Sequence, residues 1–301
     1  MKKSRRTFIK SIPALSLLPV SIDMPGQYPI SSNTYDWLTF FRRDGKEWGK
    51  DLDEDIKLYA TSGLTAIEPS LDSVQQAINY IAVLKKYNIQ MPSIYVGSVL
   101  HQAQAAHTSI LKILEIADIV KAFGTKIIVT NPNPISWAQP ENKSDEALKT
   151  QAIALEDLGT KLRAKGLHLA YHTHNMELRA GAREFHHMLQ NTNAKNVSFC
   201  FDVHWVYRGS DDSELAVFDV LKIYGHRVIE LHIRQSQQGI WKETFTAEGD
   251  IDYSRFAAEL KRLKVMPHLV IEQCLEEKTP ITMSVVEAHR MDLMNVKRVF
   301  R

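Results

Sequence analysis

Eight short apolar runs of strand length alternate with eight longer helical patterns along this 301-residue chain, and that alternation limits the folds open to it. The strand patterns fall near 29–35, 64–69, 91–96, 125–130, 167–173, 197–203, 228–233 and 268–273. The helical patterns fall near 50–62, 72–87, 103–123, 144–165, 181–191, 212–225, 253–264 and 281–299. Strands alternating with helices pair in parallel through right-handed crossovers. Eight such units suit closure into a (β/α)8 TIM barrel, which takes about 250 residues. An open doubly wound sheet is the weaker reading, because no Gly-x-Gly-x-x-Gly turn follows the first strand. Gly63, Gly124, Gly166 and Gly225 stand where helices should end. Asn131-Pro132-Asn133-Pro134 marks a loop after the fourth strand. No linker divides residues 27–301, so a single barrel domain is expected there.

The first 26 residues read as a separate object. Lys2, Lys3, Arg5, Arg6 and Lys10 precede a short apolar run from Ile12 to Val20, the form of an export signal. Ser4-Arg5-Arg6-Thr7-Phe8-Ile9-Lys10 resembles the twin-arginine signal of bacteria, which implies an exported or periplasmic protein. Removing this segment takes five positive charges from a chain of net charge +2, so the body that remains is slightly acidic. Such a body is poorly suited to a phosphate backbone, where affinity comes from Lys and Arg displacing counterions. No apolar stretch approaches the ~20 residues that span a bilayer. Nucleic acid and a membrane span are therefore not expected. A small molecule is, and association into a homo-oligomer is left open.

Chemistry-bearing residues gather in the second half. His168-Leu-Ala-Tyr-His-Thr-His174, Val197-Ser-Phe-Cys-Phe-Asp202, Val228-Ile-Glu-Leu-His232 and His268-Leu-Val-Ile-Glu272 each end a strand on a metal-ligand type. Any one of these would usually be a cap or a hydrogen-bonded polar group. Four at equivalent places in consecutive units are harder to dismiss, because barrel strands converge at their C-terminal ends. The candidate ligands are His172 (or His174), Asp202, His232 and Glu272. Nitrogen and oxygen donors in this mixture suit Mn, Zn, Co, Fe or Mg, and leave coordination positions for substrate oxygens. Alanine at Asp202 or Glu272 is then expected to strip the ion at little cost to the fold. Cys200 and Cys274 each lie two residues from a candidate ligand. On strands that are not neighbours they are expected to be free, buried thiols, one layer below the site.

The chain from about Pro29 onward resembles the xylose-isomerase-like barrel superfamily of sugar phosphate isomerases and epimerases, which also contains endonuclease IV and inosose dehydratase. The likeness rests on Gly63-Leu-Thr-Ala-Ile-Glu68, Tyr171-His-Thr-His-Asn-Met-Glu177, Phe201-Asp-Val-His-Trp205, Leu231-His232-Ile-Arg, Glu248-Gly-Asp-Ile-Asp252-Tyr and Val270-Ile-Glu272. It implies metal-ligand roles for Asp202, His232 and Glu272. The family's first ligand is commonly a Glu, and His172 stands in its place here. The resemblance implies proton removal next to a carbonyl, with Glu272 and His172 as the catalytic pair. Glu68, His174, Trp205 and Trp241 are the expected sugar contacts. His204 and the pair His186-His187 are expected to be structural and solvated, respectively.

Reprotonation after such a step gives isomerisation or epimerisation; loss of a β-substituent gives a lyase or dehydratase. An epimerase needs a base on each face of the carbon, and one of the family's two glutamates is absent. A non-catalytic sugar-binding barrel is the third alternative. A nuclease is disfavoured, because the early strands end in Ser, Asn and Tyr rather than in further ligands.

Overall fold

The computed structural model describes residues 28–301; the export signal read in residues 1–26 lies outside them. Eight parallel strands form the barrel: β1 (Ser31–Asn33), β2 (Ala66–Glu68), β3 (Ser93–Tyr95), β4 (Ile127–Thr130), β5 (His168–Tyr171), β6 (Val197–Asp202), β7 (Val228–Ile233) and β10 (His268–Ile271). Ladders join them in the order β2-β1-β10-β7-β6-β5-β4-β3. Isolated parallel bridges Ala66↔Gln90 and Ser70↔Tyr95 bring β2 and β3 together. Across that seam Gln90 N donates to Thr65 O at 2.9 Å and Tyr95 N to Pro69 O at 3.0 Å.

The predicted helices are present as α2 (Leu52–Ala60), α3 (Val74–Lys86), α4 (Ala103–Phe123), α5 (Asp145–Ala164), α6 (Arg179–Gln190), α8 (Glu214–Tyr224), α9 (Tyr253–Leu263) and α10 (Val285–Phe300). Local chemistry sets their ends. Ser73, Ser144, Ser213 and Asp252 cap α3, α5, α8 and α9, and Ser284 forms a capping box with Glu287 on α10. Gly124 closes α4 in the left-handed region at φ 113°. Gly225 departs from expectation: its φ is −53°, and it opens a 3-10 turn, Gly225–Arg227, instead of ending a helix in the left-handed region.

Periodicity missed three elements, all at the C-terminal mouth. Helix α1 (Thr34–Arg43) takes over the end of the first predicted strand, and α7 (Val203–Gly209) starts where β6 stops. A small antiparallel hairpin pairs β8 (Ser236–Gln237) with β9 (Ile240–Trp241). Asp250, in the segment Glu248 to Asp252, fastens this hairpin. It accepts from Ser236 Oγ at 2.6 Å and from Gln238 and Gly239 N, each at 2.8 Å.

Strand alternation divides the interior in two. Outward side chains such as Ile67, Ile94, Ile128, Leu169, Phe199, Leu231, Ile233, Leu269 and Ile271 pack against the helices in the main core. Inward side chains are apolar on one side of the barrel, with Ile127, Val129, Ala170 and Cys200 clustered together. On the other side they are polar and fully buried: Ser31, Glu68, Ser93, Glu230, His232 and His268. Such a polar interior is tolerable only where its members are paired.

Gly159 in α5 permits close approach of the helix to the start of β6. A Cβ there would lie 2.4 Å from Asn196 O and 2.8 Å from Asn196 C. In an open helix Gly→Ala gains about 1 kcal/mol. Backbone overlap reverses the sign here, so Gly159→Ala is expected to destabilise by about 1–3 kcal/mol. A melting temperature at or above that of the wild type would refute this.

Candidate metal centre and its surroundings

The C-terminal ends of β5, β6, β7 and β10 bring His172, Asp202, His232 and Glu272 together. One ligand atom from each lies within 4.8 Å of all the others, and all four residues are buried. His172 Nε2 is 3.6 Å from Asp202 Oδ2, and His232 Nδ1 is 3.4 Å from Glu272 Oε2.

Each donor is aimed by its own local structure. Asp202 is the N-cap of α7, and its Oδ1 accepts from Trp205 N at 2.7 Å. That leaves Oδ2 facing the cluster with no hydrogen-bond partner. His172 N continues the ladder to Thr130 O at 2.9 Å, and Asn131 Nδ2 donates to His172 O at 3.0 Å. Glu177 folds the following loop by accepting from Asn131 Nδ2 at 3.2 Å and from His174 N at 2.8 Å. Burial, then the nearby Glu184, pushes the Glu177 carboxyl up to about 7.

His232 is held from behind. Its Nε2 lies 3.1 Å from Glu68 Oε1 and 3.5 Å from Glu230 Oε1. Glu230 Oε2 in turn is 2.8 Å from His268 Nδ1. These two carboxylates sit together in a buried space and do not share charge equally. Burial raises both, but the imidazoles of His232 and His268 hold Glu230 low. Glu68 is pushed up to about 8 by burial, with repulsion from Glu230 adding to it. A carboxylate behind a histidine fixes which ring nitrogen carries the proton, and so which one is free for an ion.

The set fits a divalent cation by the state of its atoms. Both ring nitrogens of His172, Nδ1 of His232 and Oδ2 of Asp202 are buried without hydrogen bonds. Buried polar groups in folded proteins are ordinarily paired, and unpaired atoms on three residues of one cluster, His172, Asp202 and His232, call for a common partner. Two imidazoles and two carboxylates are donors of the kind that bind first-row divalent ions and magnesium.

Of the expected sugar contacts, His174, Trp205 and Trp241 lie side by side, with Trp205 5.5 Å from His174 and 5.6 Å from Trp241, whereas Glu68 lies apart from them. His174 is half-buried at the mouth, with ring centroids 4.9 Å from His172, 5.2 Å from Trp137 and 5.5 Å from Trp205. Burial, then His172, holds its imidazole well below the ordinary value and therefore neutral. Trp205 borders the same opening. The Trp241 ring carries two guanidinium groups, Arg234 at 4.2 Å and Arg208 at 4.6 Å. Glu68 lies inside the barrel, fully buried, with Asn33 Nδ2 at 2.5 Å and Ser93 Oγ at 3.0 Å as further partners.

His204 is buried and bonds Ser236 Oγ at 2.9 Å, in keeping with a structural role. His186 is less solvated than expected, since its Nδ1 reaches Tyr224 OH at 2.7 Å. Both cysteines are free and buried. Cys200 lies one layer below Asp202, with its Sγ 3.6 Å from Glu230 Oε1. Cys274 instead lies past the end of β10, with its Sγ 3.2 Å from Asp36 Oδ1.

Arg234 is the principal residue that the sequence reading passed over. It is 1% exposed, and its Nη2 donates to Glu272 Oε2 at 2.8 Å while its Nε donates to Glu272 O at 2.7 Å. Burial alone would raise the Glu272 carboxyl; Arg234, then His232, holds it well below the usual carboxylate range. This pairing also changes the expected cost of removing a ligand. Glu272→Ala would leave a buried guanidinium without its counter-charge, and Asp202→Ala would remove a helix cap, so neither change is neutral for the fold.

Residues 56–290 match the sequence model of a family described as xylose isomerase-like TIM barrel. No curated protein matches the chain. Solved structures share its fold at low identity. A D-allulose 3-epimerase from Methylomonas sp. in complex with D-allulose superposes with TM-score 0.67 at 15% identity, covering 92% of this chain and 98% of that one. A 3-keto-D-glucoside 4-epimerase from E. coli gives 0.65 at 15% identity, covering 90% and 100%. A xylose isomerase-like TIM barrel protein from Mycobacterium smegmatis in complex with magnesium gives 0.65 at 12% identity, covering 92% and 99%.

Proposed function

The chain belongs to the xylose isomerase-like TIM barrel family, and we propose that it is a divalent-metal-dependent sugar isomerase or epimerase-type enzyme that removes a proton next to a carbonyl. The observation that carries this reading is the convergence of four strand-end donors, of which His172, Asp202 and His232 present atoms with no hydrogen-bond partner. His172, Asp202, His232 and Glu272 would hold the ion. When bound, it would supply Lewis-acid stabilisation of negative charge developing on a substrate oxygen.

The rest falls to the chain's own side chains. Glu68 and Glu230 orient His232. In this reading Glu68 serves that histidine and does not touch sugar. His174 and Trp205 border the opening through which a carbohydrate enters. A base takes the proton from the substrate carbon, and the C–H electrons move into the carbonyl to give an enediolate. Return of the proton to the opposite face gives the epimer, and its return to the adjacent carbon gives the isomer.

A lyase is the second reading, favoured by one contact. Arg234 occupies an oxygen of Glu272 at 2.8 Å, and His172 stands where a second glutamate would act. Expulsion of a β-oxygen from the enediolate needs only one base. Two fold neighbours named for a ketohexose and a keto-glucoside make those compounds the first to test. Protein purified without chelators, analysed for metals and incubated with ketohexoses and 3-keto-glucosides, should convert at least one of them by NMR. Binding without conversion after metal reloading would favour the non-catalytic sugar-binding barrel.

The export reading of residues 1–26 belongs to the same proposal, and places the mature enzyme in the periplasm or beyond. Replacing Arg5 and Arg6 by lysine should leave the precursor in the cytoplasm of a host that exports folded proteins. Undiminished export of that variant would remove the twin-arginine assignment.

A further inference from the structure

The outer surface of the barrel carries an apolar hollow that the metal-centre reading does not use. It lies between α3 and α4, measures about 430 Å³, and is lined chiefly by Ile78, Ile81, Ala82, Ile119, Ala122 and Phe123. Helix α4 explains it. Ile110, Ile113, Ile116, Ala117 and Val120 make its core face, and Ile119, Ala122 and Phe123 carry the apolar surface past that face. Ile78 on α3 is 44% exposed, and Ala82 and Ala122 are exposed as well. The charged side chains on the rim are Lys85 and Asp118, and Asp118 is paired with Lys165 at 2.6 Å. Contiguous exposed apolar surface marks an interaction site. A small polar ligand is oriented by a few inward polar groups, and this lining offers none, so it suits an apolar chain segment.

The chain itself supplies such a segment within reach. Lys85 and Phe123 also line a second hollow of about 280 Å³, together with Tyr28, the first described residue. Tyr28 is anchored there. Its ring packs edge-on with His268, centroids 5.6 Å apart, and its carbonyl oxygen accepts from Arg301 Nη2 at 2.6 Å. Lys85 and Phe123 belong to the last turns of α3 and α4, so the two hollows meet at the face of the barrel opposite the strand-end cluster. Upstream of Tyr28, the run from Ile12 to Val20 is apolar and uncharged. Val20 precedes Tyr28 by eight residues, which span up to about 26–29 Å when extended. The hollow runs from Lys85 to Ile78, seven residues of helix or about 10 Å. We propose that, in the chain that keeps its first 26 residues, the run from Ile12 to Val20 docks in the α3–α4 hollow of the same molecule. A tether of this length presents its segment at about millimolar effective concentration, more than a second copy of the chain would reach in dilute solution. Lys2, Lys3, Arg5, Arg6 and Lys10 precede the docked run and remain outside the hollow. Docking is therefore compatible with the export reading and does not depend on it.

The test is limited proteolysis of the full chain, its intact N-terminus confirmed by mass. Chymotrypsin cleavage after Leu15, Leu17 and Leu18 is followed by mass spectrometry, beside a synthetic peptide of residues 1–27. Where redocking is fast relative to cleavage, the rate tracks the fraction of molecules with the segment undocked, so the full chain should be cut there at least about tenfold more slowly than the peptide. That protection should not change with protein concentration. Ala82→Glu/Ala122→Glu places two carboxylates at exposed helix positions within the hollow. Covering an unpaired charge with apolar chain is unfavourable, so cleavage in this variant should return to within about threefold of the peptide. A full chain cut as fast as the peptide would overturn the inference without recourse to any variant. Protection that survives in the double variant would overturn it too. Protection that disappears on dilution would assign the hollow to a second copy of the chain and overturn docking within one molecule.

Discussion

Asp202→Asn protein, purified without chelators, is expected to carry less than about a tenth of the wild-type metal and to lose about a thousandfold or more in activity. Asparagine is chosen because Asp202 has two separate tasks. Its Oδ1 caps α7 through Trp205 N, and its Oδ2 faces the cluster. The amide oxygen can keep the first task, worth about 1 kcal/mol. It removes the negative charge required by the second. The melting temperature of the metal-free protein should therefore stay near that of wild type, whereas Asp202→Ala should lose the ion and the cap together. Glu272→Ala is the harsher change, because it strands Arg234, and breaking such a buried pair costs about 3–5 kcal/mol. Full metal occupancy in Asp202→Asn, measured by elemental analysis on folded protein, would remove Asp202 from the ligand set.

The barrel and the four converging residues were legible because both depend on short-range pattern. Alternating periodicity gives strand and helix, and the last inward residue of a strand is where barrel chemistry gathers. Helix α1 was not legible, because its cap, Asn33, is also the last residue of β1. The apolar run simply passes from one element into the next. The same overlap hid α7 behind Asp202. The polar column beneath the site carried a signal that was not used. Glu230, His232 and Arg234 follow one another at every second position, with Leu231 and Ile233 between them, so all three had to face inward. Reading that alternation through the strand, and not only at its end, would have exposed Arg234 and Glu230 as members of the site. His268 shares the pattern with Glu272 across β10, four residues away. The Asn131–Glu177 contact that shapes the His172 loop was beyond such reasoning, because it joins two loops 46 residues apart.

Deuterium from D₂O is expected to enter one position of the converted sugar, from one face only. Two-base epimerisation needs a proton acceptor on each side of the reacting carbon. Glu272 is committed on one oxygen to Arg234 at 2.8 Å, which makes it a weak acceptor. The position opposite carries His172, whose two ring nitrogens have no hydrogen-bond partner and of which Nε2 faces Asp202 at 3.6 Å. With that nitrogen turned towards the ligand set, the site is one carboxylate short of the symmetric arrangement. The exchanged carbon should therefore keep a single configuration. His172→Glu separates the two explanations. It restores a carboxylate but adds a third negative charge to the cluster, which lowers the Lewis acidity available to an enediolate. The variant should keep its metal within about twofold of wild type and should not eliminate faster than wild type. If His172→Glu converted a one-face exchanger into an epimerase, the missing carboxylate would be the whole difference. Label appearing in both configurations at one carbon of the wild-type product would mean that two bases already act, and would decide for epimerisation over elimination.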